Sequence, residues 1–148
     1  MTRVVGMGQT AAGDDGVGRA VLDELGRRSV PRGTELIHLA DPMSLVSLLE
    51  SAERVVLVDA VLASPPGVVV ELGAEELSSK ASQPASSHGL GAAQAIELAR
   101  SLSPTAIPDV RVVAITIGRP DRYRMGLSPE VAAAVPKAAD RILELLGD

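Results

Sequence analysis

The chain has 148 residues, of which 46% are hydrophobic, 22% charged and 1% aromatic. This length and composition predict one folded domain over residues 1–148, with a core of aliphatic side chains. The absence of cysteine excludes disulfides, thiolate zinc sites and a cysteine nucleophile. A net charge of −5 argues against a nucleic-acid or anionic-membrane partner. No apolar run reaches the roughly 20 residues that span a bilayer and no signal-peptide pattern is present, so a cytoplasmic location is expected.

Short β-branched runs alternate with amphipathic segments along the chain. Continuous apolar runs are typical of parallel strands that are buried on both faces. The predicted strands are Arg3–Gly6, Glu35–Leu39, Arg54–Val61, Gly67–Leu72 and Val110–Ile117. The predicted helices are Val17–Leu25, Pro42–Ala52, Gly89–Leu102 and Ser128–Leu146, with Asp41 and Ser128 as expected N-caps of the second and fourth. The alternation predicts a three-layer α/β/α sandwich with a mainly parallel sheet.

One strand is expected to run against the others. About five residues, Leu62–Pro66, separate the third predicted strand from the fourth. A parallel crossover needs a dozen or more residues, so the fourth strand should be antiparallel. Two segments, Ser78–Ser87 and Arg119–Arg124, are interpreted as exposed loops.

Polar residues gather where the predicted strands end, which is where open α/β sheets bind ligands. Asp14 and Asp15 follow the first strand, Asp59 lies near the end of the third, and His88 precedes a helix. Each has a simpler explanation: acids are favoured at a helix N-terminus, Asp59 could cap a neighbouring loop, and His88 could be an ordinary histidine at a helix start. A carboxylate within an apolar strand nevertheless requires a cation, a hydrogen-bond network or a raised pKa.

Two kinds of site remain open at this edge. Two carboxylates and an imidazole suit a first-row divalent metal with open coordination positions. The run Gly6-Met7-Gly8-Gln9-Thr10-Ala11 also fits the weak dinucleotide-binding pattern. Aspartates at the following helix N-terminus would repel a pyrophosphate there, so the metal interpretation is favoured. His38 is interpreted as structural or surface-exposed.

Four stretches resemble the [NiFe]-hydrogenase maturation endopeptidases. These stretches are Gly6-Met7-Gly8-Gln9, Gly13-Asp14-Asp15-Gly16-Val17-Gly18, Val58-Asp59-Ala60 and Ser86-Ser87-His88-Gly89-Leu90, and Met125–Val131 is similar to the family's turn into its last helix. The resemblance extends over residues 3–145. It implies a phosphorylase/hydrolase-like fold, a mixed five-stranded sheet of order 2-1-3-5-4 with strand 4 antiparallel.

The same resemblance implies the activity and its residues. Asp15, Asp59 and His88 would form a nickel site, with Asp15 and Asp59 as the catalytic residues. Such enzymes remove a C-terminal tail from the hydrogenase large-subunit precursor after nickel insertion, so the Ni²⁺ is supplied by the substrate and signals its completion. Whether the metal polarises the scissile carbonyl, activates water or only anchors the substrate stays open, as does a carboxylate general base.

This chain departs from the family pattern at three places. Gln9 replaces an asparagine, Ala40–Ser44 replaces an Asp-Gly-Gly stretch, and Gly118-Arg119-Pro120 replaces an Ile-x-Pro. The second departure borders the expected substrate groove. It leaves open an alternative function, in which the chain binds the hydrogenase precursor without cutting it.

Overall fold

The computed structural model describes residues 1–8, 13–73, 76, 87–103, 108–118 and 126–147, except for the side chains of residues 87–91. The strands are β1 Thr2–Met7, β2 Thr34–Leu39, β3 Arg54–Leu62, β4 Val69–Gly73 and β5 Asp109–Ile117. The helices are α1 Val17–Gly26, α2 Ser44–Ser51, α3 Ser87–Leu102 and α4 Pro129–Leu146, and a 3₁₀ turn, Gly13–Gly16, precedes α1. The loop predicted at Arg119–Arg124, and the one at Ser78–Ser87 apart from Ser87 itself, lie outside the described residues.

The strands form a mixed sheet in the order β2-β1-β3-β5-β4. β1 pairs in parallel with both β2 and β3, and β3 pairs in parallel with β5. β4 runs antiparallel to β5, with Val70 opposite Ala114. The predicted α/β class, strand order and antiparallel fourth strand are therefore confirmed, and the carboxyl ends of β1, β2, β3 and β5 share one edge, called here the carboxyl edge.

Helices cover both faces of this sheet. Val56 and Val58 of β3 pack in the cluster that contains α1 and α4, whereas Val55 and Leu57 pack in the one that contains α2 and α3. Because side chains alternate along a strand, Asp59 projects to the α2 and α3 side. Small side chains on α3 allow it to lie close to the sheet; the buried ones are Ala92, Ala93, Ala95 and Ala99.

Helix boundaries differ from prediction where local polar contacts intervene. α2 begins at Ser44 instead of Pro42, because the Asp41 carboxylate accepts the Met43 N–H at 3.0 Å and its carbonyl accepts the Ser44 N–H. Met43, and not Asp41, therefore flanks the helix. α3 begins at Ser87 instead of Gly89, which places His88 in its first turn. In the described ranges, none of the helices has the length and hydropathy needed to cross a bilayer; the cytoplasmic location stays a prediction.

Candidate functional site at the carboxyl edge

Glycines allow the 3₁₀ turn and the first turn of α1 to lie directly against the carboxyl edge. A Cβ on Gly18 would lie 2.4 Å from the Met7 carbonyl oxygen and 3.1 Å from that of Val58. A Cβ on Gly8 would lie 2.1 Å from the Asp15 carbonyl oxygen, and the φ of Gly8 is 120°. Only residues without a Cβ permit these approaches. The glycine spacing thus brings the turn, and Asp15 with it, to the ends of β1 and β3.

Asp15 and Asp59 lie close together where the 3₁₀ turn contacts the carboxyl edge. Asp59 is fully buried and Asp15 is 3% exposed. Oδ1 of Asp59 accepts the Ala60 N–H at 2.8 Å, whereas its buried Oδ2 has no hydrogen-bond partner among the described residues. Burial raises the pKa of Asp59 from 3.8 to about 7, against the lowering effect of the Ala60 bond, and the charge of Asp15 raises it further. The two carboxylates therefore interact electrostatically.

Asp14 has a different environment from its neighbour Asp15. Its Oδ1 accepts the Ser128 N–H at 2.7 Å, and its Oδ2 accepts the Ser128 hydroxyl at 2.8 Å. Ser128 flanks α4 as predicted, but its hydroxyl bonds to Asp14 and makes no capping bond to the helix. Of the two acids that the sequence offered for the site, only Asp15 lies beside Asp59.

His88 lies in the first turn of α3, and its side chain is outside the described residues. Only six residues, 103–108, separate α3 from β5. The end of α3 is therefore directed to the opposite edge of the sheet, and its first turn to the carboxyl edge. Among the described side chains, no group of three or more His, Cys, Asp or Glu residues could hold a metal ion. The ligand set Asp15, Asp59 and His88 stays a prediction.

Two further residues, His38 and Thr116, hold the backbone near the site, although the sequence pattern does not assign them to it. His38 Nε2 lies 2.9 Å from the Gly8 carbonyl oxygen, and because a carbonyl only accepts, His38 donates this bond. His38 is thus half-buried and structural, as one of its two predicted interpretations stated. The Thr116 hydroxyl donates to the Pro65 carbonyl and accepts the Val68 N–H, both at 2.8 Å. It holds the β3–β4 connection beside the carboxyl edge.

The position of His38 near the site could have been predicted from the pairing of its strand. β2 neighbours β1 in register, with His38 opposite Gly6, so a parallel pairing of these strands places His38 near the same edge as Asp59. Thr116 is different, because its role depends on bonds to the β3–β4 connection, about 50 residues away in the chain. Nothing in the local pattern of β5 indicates those partners.

The arrangement allows two kinds of chemistry. A buried carboxylate with an unsatisfied oxygen can accept a cation, and a second carboxylate beside it increases the negative potential. A carboxyl group with a pKa of about 7 can also take up and release a proton near neutral pH, which is the property of a general base. Both possibilities locate the reactive atoms at the carboxyl edge.

Comparisons with known proteins agree with the fold described above. A family model, HycI, described as hydrogenase maturation protease, matches residues 21–145. Protein FrxA of Pyrococcus furiosus is 32% identical over 137 residues, covering 90% of this chain and 96% of its own. The [NiFe] hydrogenase maturation protease HybD from Thermococcus kodakarensis is 26% identical with a TM-score of 0.80, over 98% of both chains. The maturating endopeptidase HybD from E. coli is 23% identical with a TM-score of 0.84, over 99% of this chain and 91% of its own.

Proposed function

Because the chain belongs to the hydrogenase maturation protease family, we propose that it removes the C-terminal tail of a nickel-loaded [NiFe]-hydrogenase large-subunit precursor. Family membership makes it a peptide hydrolase. The nickel of the precursor serves as the recognition signal in this proposal. The large subunit with its metal is thus the substrate, and the tail is the product released.

The observation that carries the proposal is the buried pair Asp15 and Asp59. The Asp59 Oδ2 is buried and has no hydrogen-bond partner among the described residues, which is the environment that a cation would satisfy. Carboxylate oxygens and an imidazole nitrogen are suitable ligands for nickel. Asp15, Asp59 and His88 would hold the metal of the incoming substrate, and His88 completes the set from the first turn of α3.

The chain's own residues provide binding and proton transfer. When bound, nickel supplies a positive charge that can polarise a neighbouring carbonyl. Before the metal binds, Asp59 would hold a proton at Oδ2 in part of the molecules, since its pKa of about 7 leaves both forms populated at neutral pH, and it would release that proton when the cation is taken up. The Asp15 carboxylate lies beside it and raises its pKa further. The glycine contacts hold the backbone of the 3₁₀ turn, which carries Asp15, the first of these two catalytic residues, against the strand ends.

Nickel dependence of the processing tests the proposal. The purified chain is incubated with precursor carrying nickel and with precursor stripped of nickel, and the products are measured by intact mass spectrometry. We expect tail release only from the loaded precursor. Cleavage that survives removal of nickel from both proteins would contradict the role of the metal. A stable complex with the precursor intact after long incubation would instead support the non-cleaving alternative.

Location of the metal is tested separately. Crystals of the chain are soaked with Ni²⁺ or Cd²⁺, and we expect an anomalous peak with ligand atoms of Asp15, Asp59 and His88 at about 2.0–2.4 Å. Crystals of the Asp59→Asn variant, which removes one anionic ligand, should show a much weaker peak. A His88 side chain remote from both carboxylates would show the three-residue site to be wrong.

A further inference from the structure

Asp14 connects the 3₁₀ turn to the start of α4. It does so through both carboxylate oxygens, which accept the backbone N–H and the hydroxyl of Ser128, 114 residues away. A carboxylate that accepts two bonds from one residue is held in position and in orientation. Because Asp15 is the next residue, this contact restricts the peptide from which the Asp15 side chain projects.

The start of α4, which Asp14 contacts, is itself held in place by other contacts. A Cβ on Gly67 would lie 2.5 Å from the Glu130 carbonyl oxygen, so the β3–β4 connection lies directly against the first turn of α4. The Gly67 N–H in turn donates to the Thr116 carbonyl oxygen at 2.8 Å. Ser128 is therefore fixed relative to the sheet by contacts that do not involve Asp14.

A second polar contact joins the same two parts of the fold away from the site. Arg28, just after α1, donates to Asp140 of α4. Apolar side chains of α1 and α4 also pack together in one cluster along the helices. The helix pair is thus held without Asp14, and what Asp14 adds lies at the carboxyl edge beside Asp15.

We propose that Asp14 is a positioning residue for the peptidase reaction, acting through Ser128 to direct the Asp15 carboxylate towards Asp59. This inference rests on the proposed function for its activity readout. Asp14 does not touch the reacting atoms in this proposal, because both its oxygens are occupied by Ser128. Its effect on the reaction passes entirely through the position of Asp15.

Steady-state processing of the nickel-loaded precursor by four variants tests it. Asp14→Ala should lower kcat/KM by about tenfold or more, since an ångström of misplacement can cost up to about a hundredfold. Asp14→Asn should stay within about threefold of wild type, because its amide can accept the Ser128 N–H and donate to the Ser128 hydroxyl. Ser128→Ala, which keeps the N–H, should lose less than Asp14→Ala, and adding it to Asp14→Ala should cost little more.

Asp140→Ala is the matched control, because it removes a carboxylate that joins the same parts of the fold away from the site. It should stay within about twofold of wild-type activity when all variants are assayed well below their unfolding temperatures. Equal losses in Asp140→Ala and Asp14→Ala, or failure of Asp14→Asn to restore activity, would overturn the inference, since either result indicates a general structural role.

A structural readout separates this inference from the proposed function. Crystal structures of wild type and Asp14→Ala give the distance between the Asp15 and Asp59 carboxylates without any assay. We expect that distance to change by about 1 Å or more in the variant, and to be kept in Asp14→Asn. If wild type fails to process any precursor but the distance changes, the proposed function fails and the positioning inference holds. An unchanged distance overturns the inference whatever the activity.

Discussion

Asp59→Asn is expected to abolish processing of the precursor and, at the same time, to stabilise the folded chain above neutral pH. Asparagine has the shape of the protonated acid, and its Oδ1 can still accept the Ala60 N–H that Asp59 accepts at 2.8 Å. It carries no charge for a cation and takes up no proton. Loss of such a group typically lowers the rate by about 10²–10⁴-fold.

The stability change follows from the direction of the pKa shift. The pKa of Asp59 rises from 3.8 to about 7 on folding, so between these values the folded chain retains a proton that the unfolded chain has released. Stability contributed by Asp59 is therefore lost as pH rises from about 4 to about 7. Above that range the ionised group costs on the order of 4 kcal/mol. Asparagine avoids this cost, so its advantage should be absent near pH 4 and complete above pH 7.

Urea unfolding of metal-free wild type and Asp59→Asn at pH 4 to 8 measures this difference, because contributions from the other acids cancel between the two proteins. Asp15→Asn is the control: it removes the repulsion that raises the pKa of Asp59 but leaves Asp59 buried. We expect Asp15→Asn to gain less stability than Asp59→Asn does, over the same pH range. A pH-independent difference between wild type and Asp59→Asn would contradict the assigned shift, and processing at the wild-type rate would remove Asp59 from the mechanism.

Patterns that are local in the chain predicted most of the fold. The short Leu62–Pro66 connection determined the direction of β4, which pairs antiparallel with β5, because chain length limits which crossovers are possible. In α1, Val17, Val21, Leu22 and Leu25 are spaced as one apolar face of a helix, and all four are buried. The start of α2 was missed because Asp41 satisfies the Met43 N–H in a turn of its own before the helix begins.

The site was predictable only in outline. Asp14 and Asp15 are neighbours of identical chemistry, so no local pattern distinguishes them, and their roles separate only through the bond of Asp14 to Ser128 at the other end of the chain. The burial of Asp59 did follow from its apolar strand. The contact from His38 to Gly8 depends on which strands become neighbours. Contacts between residues far apart in the chain therefore determine those features of the site that local sequence patterns do not predict.

Gly18→Ala is expected to destabilise the chain by about 3 kcal/mol or more, at the upper end of the usual range for inserting a methyl group into a packed interior. The new Cβ would lie 2.4 Å from the Met7 carbonyl oxygen, and backbone cannot yield as a flexible side chain can.

The matched change is Gly26→Ala in the same helix, where a Cβ would meet nothing within 4 Å. That variant should be neutral or gain up to about 1 kcal/mol from helix propensity. Urea unfolding of both variants at one pH gives the comparison, and similar stabilities would contradict the close approach of the first turn of α1 to β1. Because the same contact positions Asp15, Gly18→Ala protein that remains folded should also process the precursor more slowly, whereas Gly26→Ala should retain wild-type activity.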